Sequence, residues 1–284
     1  MRKVTGVALI TGAVLLAGCG SASGTSDHSR SPSPRTGGGS APGKTPVRTA
    51  AAGPSQLVLR GQVSGGIAGF GGPGELPEFS LYGDGRAIAP KERLGGSAAQ
   101  PMEYRLTSAA LQRLIDDAYA TGLDRSRTVD RQGVADATYL KLTFTAGGKT
   151  ATTRVIEVGT ENDPAEQFWR QRLHAQGNGP GWPKTDLMSD PAPYKPARLA
   201  VLAVESVQTT GTQPTNWPLG RLDRGEPVGV GLCTLFTGHE LDRATRLFHG
   251  AAPDARWLSG GKIYTLRVRP LLPDEQNCRA LNSP

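Results

Sequence analysis

The chain has 284 residues, 37% of them hydrophobic and 20% charged, with a formal charge of +7 from 32 basic and 25 acidic side chains. Arg2 and Lys3 contribute +2 of that charge, residues 20–55 a net +3, and residues 56–284 only +2, so the compositional case for a nucleic-acid partner disappears. Of three cysteines, Cys233 and Cys278 lie in the body, and two cysteines with no histidine at ligand spacing argue against a zinc site.

The first segment reads as an export signal. Arg2 and Lys3 supply the positive start, and residues 4–17 follow with 14 positions free of charge. A spanning helix needs about 20 apolar residues, so this stretch is too short to be one. It closes on Leu16-Ala17-Gly18-Cys19, which has the form of a bacterial lipobox. The expectation is a signal peptide over 1–18, cleaved before Cys19. The Cys19 thiolate is then the nucleophile that a diacylglyceryl donor alkylates, and the freed amine can accept a further chain such as palmitate. Each buried methylene contributes about 0.8 kcal/mol, so two or three chains hold stably to a bilayer. An ordinary signal peptide with a cysteine near its cut is the competing reading. Lipidation puts the mature protein on the outer face of the plasma membrane.

Residues 19–55 are the lipidated cysteine and a Ser/Gly/Pro-rich tether without an aromatic residue. Such a composition cannot offset its own ordering entropy. As a flexible coil it reaches on the order of 30–35 Å. The string at 38–45 matches a P-loop, but it lies in the tether, where no flanking strand or helix is expected, and Pro46 follows at once.

The body begins at 56. Residues 56–63 alternate as a strand, and 65–74 form a glycine-rich loop. Strands at 78–82 and 86–88 flank Gly83-Asp84-Gly85, a hairpin signal. A helix follows, capped by Thr107 or Ser108, with Leu111, Leu114, Ile115 and Ala118 on one face and Gly122 at its end. Strands at 138–145 and 150–158 join at Gly147-Gly148, with Leu140, Leu142 and Phe144 facing opposite to Tyr139, Lys141 and Thr143. Asp163-Pro164 opens a second helix that buries Phe168, Trp169 and Leu173. A Gly/Pro/Asn-rich stretch over 177–196 divides the body into a first subdomain, 56–176, and a second, 177–284. Strands are expected at 198–207 and 227–235. Thr237-Gly238-His239-Glu240 fits a capping box for a third helix, which buries Leu241, Ala244 and Phe248. Ser259-Gly260-Gly261 turns into a last strand, 262–270. The order is that of an α+β protein with antiparallel sheets and three amphipathic helices, not the β-α-β alternation of a nucleotide-binding fold.

Several constellations carry chemistry in other proteins. In an exported chain Cys233 and Cys278 are expected to form a disulfide, closing a 45-residue loop worth about 4 kcal/mol by chain entropy. Two buried free thiols are the alternative. Arg267 and Arg269 are two apart on a strand and share a face, so they are candidate anion contacts, against the default of a solvated strand face. Ser259 and Lys262 match Ser-x-x-Lys but sit in a hairpin where the motif's chemistry needs the start of a helix. His28, His174, His239 and His249 show no catalytic spacing. Asp124, Asp130 and Asp136 lack the alternate-residue ligands of a calcium loop. Trp169, Trp182, Trp217 and Trp257 raise the question of a sugar-stacking platform, with core packing as the default. No catalytic residue, metal site or cofactor is expected.

Leu81-Tyr82-Gly83-Asp84-Gly85-Arg86, Leu106-Thr107, Asp136-Ala137-Thr138, Trp217-Pro218-Leu219 and Arg269-Pro270-Leu271-Leu272-Pro273-Asp274-Glu275 ahead of Cys278 together resemble a group of actinobacterial secreted lipoproteins of uncharacterised function. The resemblance spans most of 56–278. It implies an envelope lipoprotein and adds no mechanism. The expected function is a non-catalytic binding or scaffold module with the lipid bilayer and an envelope protein or cell-wall ligand as partners. The alternatives are an envelope hydrolase and an accessory subunit of a membrane sensor or transporter.

Overall fold

The computed structural model describes residues 53–66, 72, 74–91, 100–130, 136–158, 163–174, 180–206, 213–252 and 254–282. The expected signal segment, Cys19, the P-loop string and nearly all of the tether lie outside the described residues.

The first sheet is built from β1 (Leu57–Gly65), β2 (Phe79–Tyr82), β3 (Arg86–Lys91), β4 (Gln100–Arg105), β5 (Arg127–Val129), β6 (Thr138–Ala146), β7 (Lys149–Ile156) and β8 (Ala192–Pro193). Its strand order is β5-β7-β6-β1-β2-β3-β4-β8, antiparallel except for β5 against β7. Alternation does what it predicts: Leu140, Leu142 and Phe144 are buried, while Tyr139 is 42% exposed on the other face. Gly147 and Gly148 both take positive φ, the requirement of the two-residue turn between β6 and β7. Gly85 closes the β2–β3 hairpin at φ 79°, where a Cβ would also press within 3.0 Å of the Leu106 carbonyl oxygen.

Two helical segments cover the buried face of this sheet. Helix α1 (Ser108–Ala120) starts as expected, with the Thr107 hydroxyl accepting from the Ala110 amide at 3.2 Å. It stops where Gly122 turns left-handed at φ 76°. Leu114, Ile115 and Ala118 face the sheet, as their spacing requires. Helix α2 (Pro164–Phe168) is capped by the Asp163 carboxylate and then winds wider, as a single π-turn over Trp169–Leu173. The wider turn brings Phe168, Trp169 and Leu173 into one core although two of them are adjacent in sequence.

The second sheet contains β9 (Arg198–Glu205), β10 (Thr215–Asn216), β11 (Glu226–Val228), β12 (Gly231–Thr237), β13 (Arg256–Ser259) and β14 (Lys262–Pro270) in the order β10-β13-β14-β9-β12-β11. Only β10 and β13 run parallel. The single strand expected over 227–235 is two strands. Gly229, at φ 55°, and the fully turned-out Val230 break it into a hairpin. Helix α3 (Gly238–Gly250) packs on one face through Ala244, with Leu241, Leu247 and Phe248 half-buried around Trp217, Phe236 and Trp257. The expected capping box is not formed. The helix begins through Gly238 at φ 52°, and the Thr237 hydroxyl makes no cap bond.

Residues 180–194, grouped by sequence with the second half, pack on the first sheet. Trp182 meets Phe79 and Tyr104 edge-on, and β8 pairs with β4. The chain crosses from one sheet to the other between Pro193 and Arg198. Residues 46–284 form one compact unit. The last segment returns across the two sheets. Leu272 packs with Tyr82 and Ile88 of the first sheet, while Leu271, Cys278 and Leu281 pack with Ala200, Leu202 and Cys233 of the second.

Candidate functional site

Where residues 271–276 cross between the sheets they bury a set of charges. Asp274 accepts from the Tyr82 hydroxyl and from Arg60 Nη2, each at 2.8 Å, and Arg60 Nε donates to Ser80 at 3.0 Å. Glu275 accepts from Arg269 Nη2 and from the Leu272 amide, again at 2.8 Å. Arg269 and Glu275 are both only 4% exposed. Buried ions persist only when partnered, and here Arg269 bonds to Glu275 while Arg60 bonds to Asp274 and stands 3.8 Å from Glu275. Burial disfavours the charge on Arg60, but Asp274, Tyr82 and Glu275 outweigh it and leave its pKa above the ordinary value. Burial, with Asp274 next, pushes the Tyr82 phenol well up and keeps it a hydrogen-bond donor.

The residues that flank Asp274 and Glu275 in the chain line an open groove of about 330 Å³. One side is Ser55, from the turn that precedes β1, and Arg86, the first residue of β3. The other side is the crossing peptide, Tyr194, Lys195, Ala197 and Arg198. Leu271, Leu272, Pro273 and Gln276 form the wall. Arg86 is held in place: Nη2 donates to the Pro54 carbonyl at 3.3 Å, Nε stands 3.6 Å from Asp84, and the guanidinium lies over the Tyr82 ring at 5.6 Å. Tyr194 donates to the Leu271 carbonyl at 2.9 Å, which ties the crossing peptide to the wall. Burial first, and the carboxylates beyond it, push its pKa up to about 12 against the opposing effect of Arg86. Lys195 and Arg198 have no ion pair among the described residues. They contrast with Arg60, Arg113, Arg127, Arg170 and Arg269, each paired with a carboxylate. The groove therefore presents cations and a serine hydroxyl, with no carboxylate among the described residues of its lining. Chemically it can hold an acceptor-rich anion.

The residues singled out by sequence fall as follows. Cys19 lies outside the described residues. Cys233, on β12, and Cys278 are joined in a buried disulfide that clamps the C-terminal turn to the second sheet. Arg267 and Arg269 share a face of β14, but their surroundings differ. Arg269 is buried on Glu275, an internal carboxylate, while Arg267 is exposed beside the glycine loop, where a Cβ on Gly74 would touch its own Cβ at 3.4 Å. The Ser259 hydroxyl accepts from the Leu222 amide at 3.0 Å, and Lys262 pairs with Glu205. All four indoles pack against other side chains, three of them buried, and Trp217 meets Trp257 edge-on at 5.3 Å. Among the described residues His174 is the one histidine with a partnered ring: Nδ1 lies 2.7 Å from Glu78, and the imidazole stacks on Trp169 at 4.4 Å. Among the described residues no group of His, Cys, Asp and Glu is arranged to hold a metal ion, and no helix is long and apolar enough to cross a membrane.

Sequence reasoning did not find the groove. Arg86, the neighbouring Lys195 and Arg198, and Gln276 come from three separate stretches of the chain, far apart in sequence. One signal was present: the phrases at 81–86 and 269–275 both carried the family resemblance, and the fold lays them against each other through Tyr82 and Asp274. The body is an α+β protein of two mostly antiparallel sheets. No protein-family description, curated protein or solved structure matches the chain.

Proposed function

We propose that the protein is an extracytoplasmic lipoprotein, held on the outer face of the plasma membrane through acylated Cys19, and that it acts as a non-catalytic binding module of the cell envelope. The seam groove is its binding site. The observation that carries this reading is the groove itself. Its volume lies at the lower end of the roughly 300–1,000 Å³ typical of ligand sites, and two of its cations have no internal counter-ion. The lipobox, the tether and the resemblance to secreted lipoproteins support the address.

A second reading, an envelope hydrolase, draws on His174 and Glu78. A carboxylate bonded to one imidazole nitrogen is the arrangement that orients a general base. The accessory-subunit reading uses the same groove, with an anionic segment of a membrane protein as its occupant.

The test places a photo-crosslinking residue at Gln276 of the chain in its native membrane. An envelope component should be captured, and capture should be lost with Arg198→Glu. Cys19→Ala should release the protein from the membrane fraction. Capture that ignores Arg198→Glu, together with muropeptide changes on His174→Ala, would turn the conclusion to the hydrolase.

A further inference from the structure

The chemistry of the groove narrows its ligand, given that the groove is the binding site proposed above. Four acidic side chains lie close enough to matter, and each is already engaged. Asp84 stands beside Arg86. Glu103 pairs with Arg105 at 2.9 Å, Asp274 with Arg60, and Glu275 with Arg269. Taken pair by pair these charges cancel. Lys195 and Arg198 remain, so the groove carries two uncompensated positive charges.

Their counterpart is a group with about two negative charges and several acceptor oxygens. A carboxylate or a sulfate monoester carries one charge and would leave one cation unbalanced. A phosphate monoester carries about −1.5 to −2 at neutral pH and presents three strong acceptors. The lining residues Arg198, Lys195 and Ser55 carry side chains suited to donation: a guanidinium, an ammonium and a hydroxyl. The wall of Leu271, Leu272 and Pro273 gives the ester's carbon side an apolar surface, and a volume of about 330 Å³ suits a small group there.

We infer that the seam groove binds the dianionic phosphate monoester of a small polyol-sized group, with Lys195 and Arg198 as its charge partners. The same chemistry is offered by a soluble ester and by a lipid whose headgroup is a bare phosphate monoester.

Titration calorimetry on the full chain in neutral detergent tests this, with glycerol 3-phosphate as the probe. One equivalent should bind. The methyl diester of the same compound, with one charge fewer, should bind about tenfold more weakly, and glycerol should give no heat. Lys195→Ala and Arg198→Ala should each weaken the monoester about tenfold, in keeping with a charge-assisted hydrogen bond at an open site. Arg198→Lys should recover much of the loss. Unchanged thermal unfolding of these exposed and half-buried variants confirms that they are folded. Adding phosphatidate to the micelles assigns the source: competition with glycerol 3-phosphate means the lipid headgroup, and no competition means the soluble ester. Equal affinity for monoester and diester, or indifference to both substitutions, overturns the inference. If monoester binding fails while Arg198-dependent capture at Gln276 persists, only the ligand class falls. If both fail, the groove is not the binding site.

Discussion

Replacing Glu275 by alanine tests how the two sheets are held together. Its Oε1 accepts from Arg269 Nη2 and its Oε2 from the Leu272 amide, both at 2.8 Å, in a place where Arg269 is 4% exposed. Glu275→Ala leaves that guanidinium buried with its charge unbalanced, a change that costs about 3–5 kcal/mol. The Leu272 amide loses its acceptor as well, but the space left by the side chain admits water and recovers part of that loss. A net loss of about 4 kcal/mol corresponds to a fall in Tm of roughly 10 °C for a body of this size. Glu205→Ala is the control. The Glu205–Lys262 pair has a similar N–O distance, yet its side chains are 51% and 54% exposed, so its loss should cost less than about 1 kcal/mol. The double variant Arg269→Met with Glu275→Leu removes both charges and should recover most of the stability lost by the single one. Urea unfolding of the three variants beside the parent provides the comparison. If Glu275→Ala unfolds within about 1 kcal/mol of the parent, or if Glu205→Ala costs as much, burial is not what makes this pair matter.

Reducing the Cys233–Cys278 disulfide should cost about 4 kcal/mol by chain entropy for its 45-residue separation, read as a drop in Tm on adding reductant that Cys233→Ala with Cys278→Ala removes. Tyr82 and Tyr194 have folded-state pKa values raised above 10, so the folded state holds their protons longer than the unfolded chain does. Their contribution is complete below about pH 10 and is lost as pH rises through the folded values. Stability should therefore fall above pH 10, and the fall should be shallower in Tyr82→Phe, measured by urea midpoints from pH 8 to 12. Gly231→Ala should destabilise by about 1–3 kcal/mol, because the new Cβ would stand 2.8 Å from the Ala203 carbonyl oxygen across the sheet and backbone must move to admit it. A urea midpoint equal to the parent's would show that the β9–β12 pairing yields more easily than these distances imply.

Much of the local structure was legible because its causes are local. The Thr107 cap, the left-handed Gly122 and the one-sided apolar face of α1 all depend on residues within a few positions of one another. The same holds for the Gly147-Gly148 turn and the alternation of β6. Errors arose where a short-range signal had two outcomes. Residues 227–235 are apolar enough for one strand, yet Gly229 at φ 55° makes them a hairpin. The proline- and glycine-rich stretch at 177–196 suggested a boundary, but Trp182 and β8 bind part of it to the first sheet.

By itself the sequence determined the α+β class, the main strands and helices, and the expectation of an exported, lipid-anchored chain. It also narrowed the body's cysteines to Cys233 and Cys278, whose joining the fold confirms. It could not distinguish Arg267 from Arg269, since both stand on one strand face and only the return of residues 271–276 buries one of them against Glu275. Nor could it bring Arg86 and Gln276 to Lys195 and Arg198, a meeting made only where the chain crosses between the sheets. The reason is physical. Turns, caps and alternation depend on neighbours in the chain, whereas burial, charge pairing and the shape of a groove depend on which distant segments pack together. Only the tertiary structure decides that.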